Sequence, residues 1–379
     1  MEPNEDNQRL APGRLLSERY RIVCFIGKGG MGEIYEAMDL KLNRPVAIKT
    51  LLYARNESEE LVRRLDREAL AVARINHPNI VQIYDSGADQ NEYYLAMERL
   101  YGDTLNKRIN DQRLLDPGWV AAIGAQIAEA VHAAHKKGVI HRDLKPGNIF
   151  IVTSRESVDT VKVLDFGLAK LLDAVQVLTR TGQVFGTPTY MAPESLLEIK
   201  NASSRSDIYS IGCILYEMLT GRPPFEAGSQ AELLQRAIAD QPEPIEAFRD
   251  DIPEAFVKVI KHALEKRPAD RLPNANILAR ALRDICLKYD QDGSSDSARY
   301  IRPKPPAKRS LAEVETLIDD SVYGVTQKQL FDHVLTDPKL TAGKQPAVTR
   351  KRHRGLFLVC GIILLVIFLL AVFLFSLLL

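Results

Sequence analysis

The chain has 379 residues, of which 46% are hydrophobic, 26% charged and 7% aromatic. That balance excludes disorder throughout, a collagen-like fibre and a disulfide-stapled mini-protein. Lys and Arg number 50 against 49 Asp and Glu, a net charge of +1, so no bulk attraction to nucleic acid is expected.

Residues 1–19 read as a polar N-terminal tail, without the basic flank and apolar run of a signal peptide. Alternating apolar patterns then predict strands over 20–26, 34–39, 45–51, 80–85 and 93–98, with a helix over 58–75 among them. After Asp103 helices dominate, for example 119–137, 206–220 and 253–265. Strands followed by helices imply an α+β chain of two lobes, a β-rich N-lobe (20–98) and an α-rich C-lobe (102–286). Beyond 286 the Ser/Gly and Pro/basic stretches at 293–297 and 302–306 predict a linker over 287–355, with one or two short helices within 313–335. Its Arg302, Lys304, Lys308 and Arg309 suit either anionic lipid headgroups or a solvated tether.

Residues 356–379 contain no charged side chain, and only Gly361 and Ser376 interrupt the apolar run. A helix of that length crosses a hydrocarbon core of about 30 Å. The preceding Arg350-Lys351-Arg352-His353-Arg354 is a cationic collar that is expected on the cytoplasmic side. The reading is a single transmembrane helix in a lipid bilayer, with everything before it cytoplasmic and no external sensor. Cys24, Cys213, Cys286 and Cys360 lack metal-ligand spacing and read as reduced thiols.

Chemistry concentrates in five short motifs. Gly27-Lys28-Gly29-Gly30-Met31-Gly32 is a G-x-G-x-x-G segment between two predicted strands, where glycine lets backbone approach phosphates. A Rossmann turn would open into a helix, but Ile34-Tyr35-Glu36-Ala37 reads as a strand. Val46-Ala47-Ile48-Lys49 puts a lysine in the next strand. His141-Arg142-Asp143-Leu144-Lys145-Pro146-Gly147-Asn148 follows a long helix, then come Asp165-Phe166-Gly167 and Ala192-Pro193-Glu194.

These motifs, in this order, resemble the eukaryotic-like protein kinase family over about residues 20–286. The wording around Gly29–Tyr35 and Ser206–Gly212 looks most like its bacterial, membrane-anchored Ser/Thr branch. The resemblance implies the two-lobe protein kinase fold, ATP and Mg²⁺, and Ser/Thr hydroxyls of proteins as acceptors. It implies a nucleotide site built from Ile26, Gly27, Lys28, Gly29, Gly30, Gly32, Ile34, Ala47, Lys49, Met97, Glu98, Leu100 and Phe150. Glu68 would hold the Lys49 ammonium, Asp143 would receive the acceptor's proton, and Lys145 would neutralise the migrating phosphoryl group. Asn148 and Asp165 would supply oxygens to the metal. Val72, Ile83, His141 and Phe166 would stack between the lobes, Asp207 would anchor the catalytic loop, and Glu194 would pair with Arg271. Arg142 beside Asp143 suggests control by a phosphorylated loop, so Thr179 and Thr181 are expected to be autophosphorylated, in trans, with Arg142 and Lys170 receiving the charge. The competing readings are a catalytically silent kinase-fold scaffold and a small-molecule phosphotransferase. Intact Lys49, Glu68, Asp143, Asn148 and Asp165 speak against the first, the complete acceptor region against the second.

Overall fold

Period-two alternation in the N-terminal part becomes a six-stranded antiparallel sheet. A computed structural model describes residues 10–29, 32–51, 59–89, 92–112, 114–154, 157–166 and 188–291. The sheet comprises β1 (Leu15–Leu16), β2 (Tyr20–Gly29), β3 (Gly32–Asp39), β4 (Arg44–Leu51), β5 (Ile83–Asp89) and β6 (Glu92–Glu98), ordered β1-β2-β3-β4-β6-β5. One face packs Tyr20, Ile22, Tyr35, Val46, Ile48 and Tyr94 into a small apolar core. Cross-strand partners share a face, and register sets Ile34 opposite Lys49 and Ala47 opposite Met97. These four therefore look away from that core. Helix α1 (Glu59–Ala73) buries Leu65, Ala69 and Val72 along one stripe.

The lobe starts earlier than the sequence reading has it. Within the expected tail 1–19, β1 pairs with β2, and Leu10 and Leu16 are buried in the small core. A few leucines among Pro, Gly and Arg are too sparse to show a period. At the other end, the last helix runs to Gln291, past the expected boundary at 286.

The second lobe holds β7 (Gly102–Thr104), α2 (Leu105–Gln112), α3 (Pro117–His135), β8 (Ile149–Ser154), β9 (Ser157–Val163), α4 (Pro193–Leu197), α5 (Ser204–Thr220), α6 (Gln230–Ala239), α7 (Glu254–Ala263) and α8 (Ala275–Gln291). Asp116 caps α3 by accepting from Trp119 N, with Pro117 pre-set in the first turn. A Ser203–Ser206 capping box starts α5, and Gly221 at φ 74° ends it. Both helices are almost wholly buried and form the main core with α8. In the three-stranded sheet β7-β8-β9, Gly102 sits at φ 144°, where a Cβ would lie 2.1 Å from the Ile151 carbonyl oxygen. That close approach sets Phe150 opposite Thr104 at the junction of the lobes.

Backbone and side chain join the lobes. Val81 N donates to Val163 O at 3.1 Å, and Val163 N to Asn79 O at 2.8 Å. The buried Asn79 amide donates to Gln126 on α3 at 2.8 Å and to Val161 O at 3.0 Å. Among the described residues no helix is long and apolar enough to cross a membrane. The apolar run 356–379 and the linker beyond 291 lie outside the described residues.

Arg271 closes the base of the second lobe. Its side chain is fully buried and makes a two-pronged pair with Glu194, at 2.7 and 2.8 Å. Burial pushes the Glu194 carboxyl up, but hydrogen bonds from Arg271 and Ser206 outweigh it and hold the group below its ordinary value. A depressed folded-state pKa means this stabilisation is present above the unfolded value and is lost as pH falls through the folded one. Arg271→Ala leaves Glu194 without its cation and is expected to cost about 3 kcal/mol, read as a lowered urea midpoint at neutral pH. The deficit should shrink on acidification, as Glu194 protonates.

Candidate active site

Three segments converge where the two lobes meet. The first is the β2–β3 hairpin, carrying Ile26, Gly27, Lys28 and Gly29 on one strand and Gly32 on the other; Gly29 and Gly32 are paired. Gly32 has no room for a side chain, since a Cβ would fall 1.6 Å from Thr50 O. Gly30 lies outside the described residues. The hairpin is braced by a group that motif reading passed over. Glu33, buried, accepts from Tyr35 Oη at 2.6 Å and faces Lys28 Nζ at 3.5 Å.

The second segment is the loop 141–148, fixed from beneath by Asp207 on α5. Asp207 is buried and accepts from the backbone N–H of His141 (2.9 Å) and Arg142 (3.0 Å), while His135 Nε2 lies 2.7 Å away. These bonds support Arg142 at φ 69°, a left-handed conformation that costs a residue with a side chain about 1 kcal/mol or more. Within the loop, Lys145 Nζ donates to Asp143 Oδ2 at 2.8 Å. Asn148 Nδ2 donates to Asp143 O at 2.7 Å and to Oδ2 at 3.1 Å. Both side-chain donors engage Oδ2. Among the described residues, Oδ1 is thus the oxygen left to accept from an incoming hydroxyl.

Asp165 and Phe166 form the third segment. Leu164 N donates to Asn148 O at 2.9 Å, and Asp165 follows at φ 60°. Asp165 Oδ2 lies 2.6 Å from Lys49 Nζ, a pair that spans the lobes. The sequence reading gave Lys49 to Glu68; the structure pairs it with Asp165 and places Glu68 half-buried on α1. Phe166 is buried against His141, with ring centroids 4.6 Å apart, and His141 Nε2 is 2.8 Å from Leu164 O. Val72 and Phe166 belong to the same core, and Ile83 packs against it.

Ile34, Ala47 and Met97 share the sheet face described above, and Phe150 lies on β8 opposite Thr104. The connection between the lobes is tied at Glu98, whose Oε1 accepts from Gln82 N at 2.8 Å and Lys162 Nζ at 2.6 Å. Next to it Arg99 pairs with Glu36 at 2.8 Å and also donates to Leu100 O. Thr179, Thr181 and Lys170 lie outside the described residues.

Among the described residues no cluster of three or more His, Cys, Asp or Glu side chains is placed to hold a metal. The available donors are the Asp165 carboxylate and the amide oxygen of Asn148, whose nitrogen is already committed to Asp143. Two hard oxygens suit Mg²⁺, which takes few protein ligands and completes its shell with phosphate and water.

The family model for the protein kinase domain matches residues 20–282. The chain belongs to the protein kinase family. A probable serine/threonine-protein kinase of Clostridium acetobutylicum is 40% identical over 82% of this chain and 46% of its own length. Serine/threonine-protein kinase pkn3 of Myxococcus xanthus is 39% identical over 82% and 58%, and PrkC of Bacillus subtilis 35% over 74% and 42%. The chain thus spans about half the length of the curated relatives it matches. The crystal structure of the Mycobacterium tuberculosis PknI kinase domain is similar with a TM-score of 0.58 at 26% identity, covering 73% of this chain and 99% of that one.

In this kinase domain the catalytic loop depends on one buried carboxylate. Asp207→Asn replaces an acceptor oxygen with an NH₂ group facing backbone donors, and bonds to a charged acceptor contribute about 1.5–3 kcal/mol. Amide exchange at His141 and Arg142 is expected to accelerate at least about tenfold, with α3 amides unchanged, in a native-state hydrogen-exchange measurement.

Proposed function

We propose that this chain is a serine/threonine protein kinase that moves the γ-phosphoryl group of ATP onto protein hydroxyls. The observation that carries the reading is the Asp143 carboxylate, with Oδ2 held by Lys145 and Asn148 and Oδ1, among the described residues, without a donor. In the transfer, the acceptor's O–H bond breaks as its oxygen bonds the γ-phosphorus, the proton goes to Asp143, and the β–γ bridging oxygen leaves with ADP. Lys145 sits where it neutralises the migrating group, and Lys49 is poised for the α- and β-phosphates. Ile34, Ala47, Met97 and Phe150 offer apolar surfaces to the base. Mg²⁺, held by Asn148 and Asp165, would supply neutralisation of phosphate charge. Glu68 is the carboxylate that α1 offers to Lys49.

Control and placement follow from sequence. Arg142 stands next to Asp143, ready to receive a phosphorylated Thr179 or Thr181, and the acceptor loop of one chain would be modified by another. The apolar run 356–379 and the collar 350–354 support an anchor in a bacterial inner membrane, kinase domain on the cytoplasmic side.

Two measurements test this reading. With labelled ATP and a generic protein substrate, the full chain should transfer label, and Asp143→Ala or Lys49→Met should reduce transfer by at least about 10³-fold. Equal label in wild type and Asp143→Ala would mean a scaffold. After incubation with ATP, mass spectrometry should find phosphate on Thr179 or Thr181, absent from the Asp143→Ala protein. Full activity in a chain with both threonines changed to Ala would remove the loop from control.

A further inference from the structure

An ion pair ties the roof of the nucleotide cleft to the connection between the lobes. Register puts Cys24, Glu36, Ala47 and Met97 in one row across β2, β3, β4 and β6. Cross-strand partners share a face, so Glu36 stands on the cleft side beside Ala47, next along that face of β3 from Ile34. A carboxylate on an otherwise apolar roof is costly without a partner. Arg99, the first residue after β6, supplies one: its Nε donates to Glu36 Oε2 at 2.8 Å, and the two side chains are 17% and 22% exposed. The same guanidinium donates through Nη1 to Leu100 O and lies over the Tyr101 ring, 4.4 Å from its centroid. A planar fork holds several partners in fixed directions, as a flexible ammonium does not. Arg99 thus gathers the segment 99–101 and fastens it to β3.

In the sheet, β3 is separated from β6 by β4. Sheets twist and coil, so ladder bonds alone leave the β2–β3 hairpin some freedom to splay from the connection. The Glu36–Arg99 pair crosses that gap on the cleft side. We propose that Arg99 is a positioning residue for nucleotide binding: its pair with Glu36 clamps β3 to the connection between the lobes and fixes the gap that receives the base. This deepens the kinase reading of the site and rests on it. In ATP the base and the γ-phosphoryl group stand at opposite ends. The clamp therefore acts equally on ground state and transition state and belongs in KM, not in kcat.

The test uses the full chain and the variants Arg99→Ala, Arg99→Lys, Glu36→Ala and the double variant Glu36→Ala/Arg99→Ala. Steady-state kinetics with a generic protein substrate give kcat and ATP KM. Calorimetric titrations with ATP and with adenosine, which carries the base and no phosphate, give Kd without transfer. Arg99→Ala should raise ATP KM and adenosine Kd by the same factor, about fivefold, the upper range for a partly exposed ion pair. Its kcat should stay within about twofold of wild type. Arg99→Lys, which keeps the charge and loses the fork, should lie between Arg99→Ala and wild type. In the Glu36→Ala background the Arg99→Ala change should cost less than about twofold, because the clamp is already open. Equal fold-losses in both backgrounds would make Arg99 independent of Glu36 and overturn the proposal. So would a fall in kcat at unchanged KM, or a loss with ATP that adenosine does not share, which would assign Arg99 to the phosphates. A wild-type chain that binds neither ATP nor adenosine overturns the kinase reading and the clamp with it; wild-type binding that the variants leave unchanged overturns the clamp alone.

Discussion

A single buried carboxylate, Asp207, fixes the start of the loop 141–148 in the second lobe. Two successive backbone N–H groups and a histidine converge on it, although burying an anion without such donors would cost several kcal/mol. The arrangement is mutual. Asp207 needs the loop's donors for its own stability, and the loop needs Asp207 to keep Arg142 at a positive φ. From there order passes along the chain by short bonds: Asn148 to Asp143, Leu164 to Asn148, and Asp165 across to Lys49. The last of these steps, Asp165 to Lys49, crosses to the sheet lobe.

The lobes contribute unequally. α3, α5 and α8 form a large buried core that holds the catalytic loop. The sheet lobe has a small core, and its functional residues sit on the face turned away from it. That lobe therefore depends on polar fasteners: Asn79 with Gln126, Glu98 with Lys162 and Gln82, Glu33 with Tyr35, Asp66 with Tyr93 and Ser86. Directional bonds fix orientation where packing alone would leave it loose.

Those fasteners mark the boundary of what was legible in the amino-acid order. Strands β2, β3, β4 and β6 and helices α1, α3 and α5 lie within a few residues of their predicted positions, because each carries a local period. Strands β7, β8 and β9 were not among the predicted strands: β7 has three residues and shows no period, while β8 and β9, of six and seven, carry Phe150 and lead into Asp165. The glycine hairpin, Lys49, Asp143, Asn148 and Asp165 were found because their motifs are contiguous. Glu194 with Arg271 and Asp207 with the catalytic loop were named through family resemblance, not through spacing. His135, Gln126, Lys162 and Asp66 had no signal at all: each meets a partner distant in sequence, and nothing near it in the chain distinguishes it from an ordinary polar residue.

Charge balance around Lys49 constrains what Asp165 can do. The ammonium is nearly inaccessible, and a buried cation without a carboxylate is strongly unfavourable. Asp165 fills that need at 2.6 Å, yet Asp165 is also one of the two oxygen donors suited to a metal. One carboxylate cannot neutralise both cations fully. Releasing Asp165 from Lys49 therefore requires a second carboxylate from the sheet side, and α1 is the element that carries Glu68.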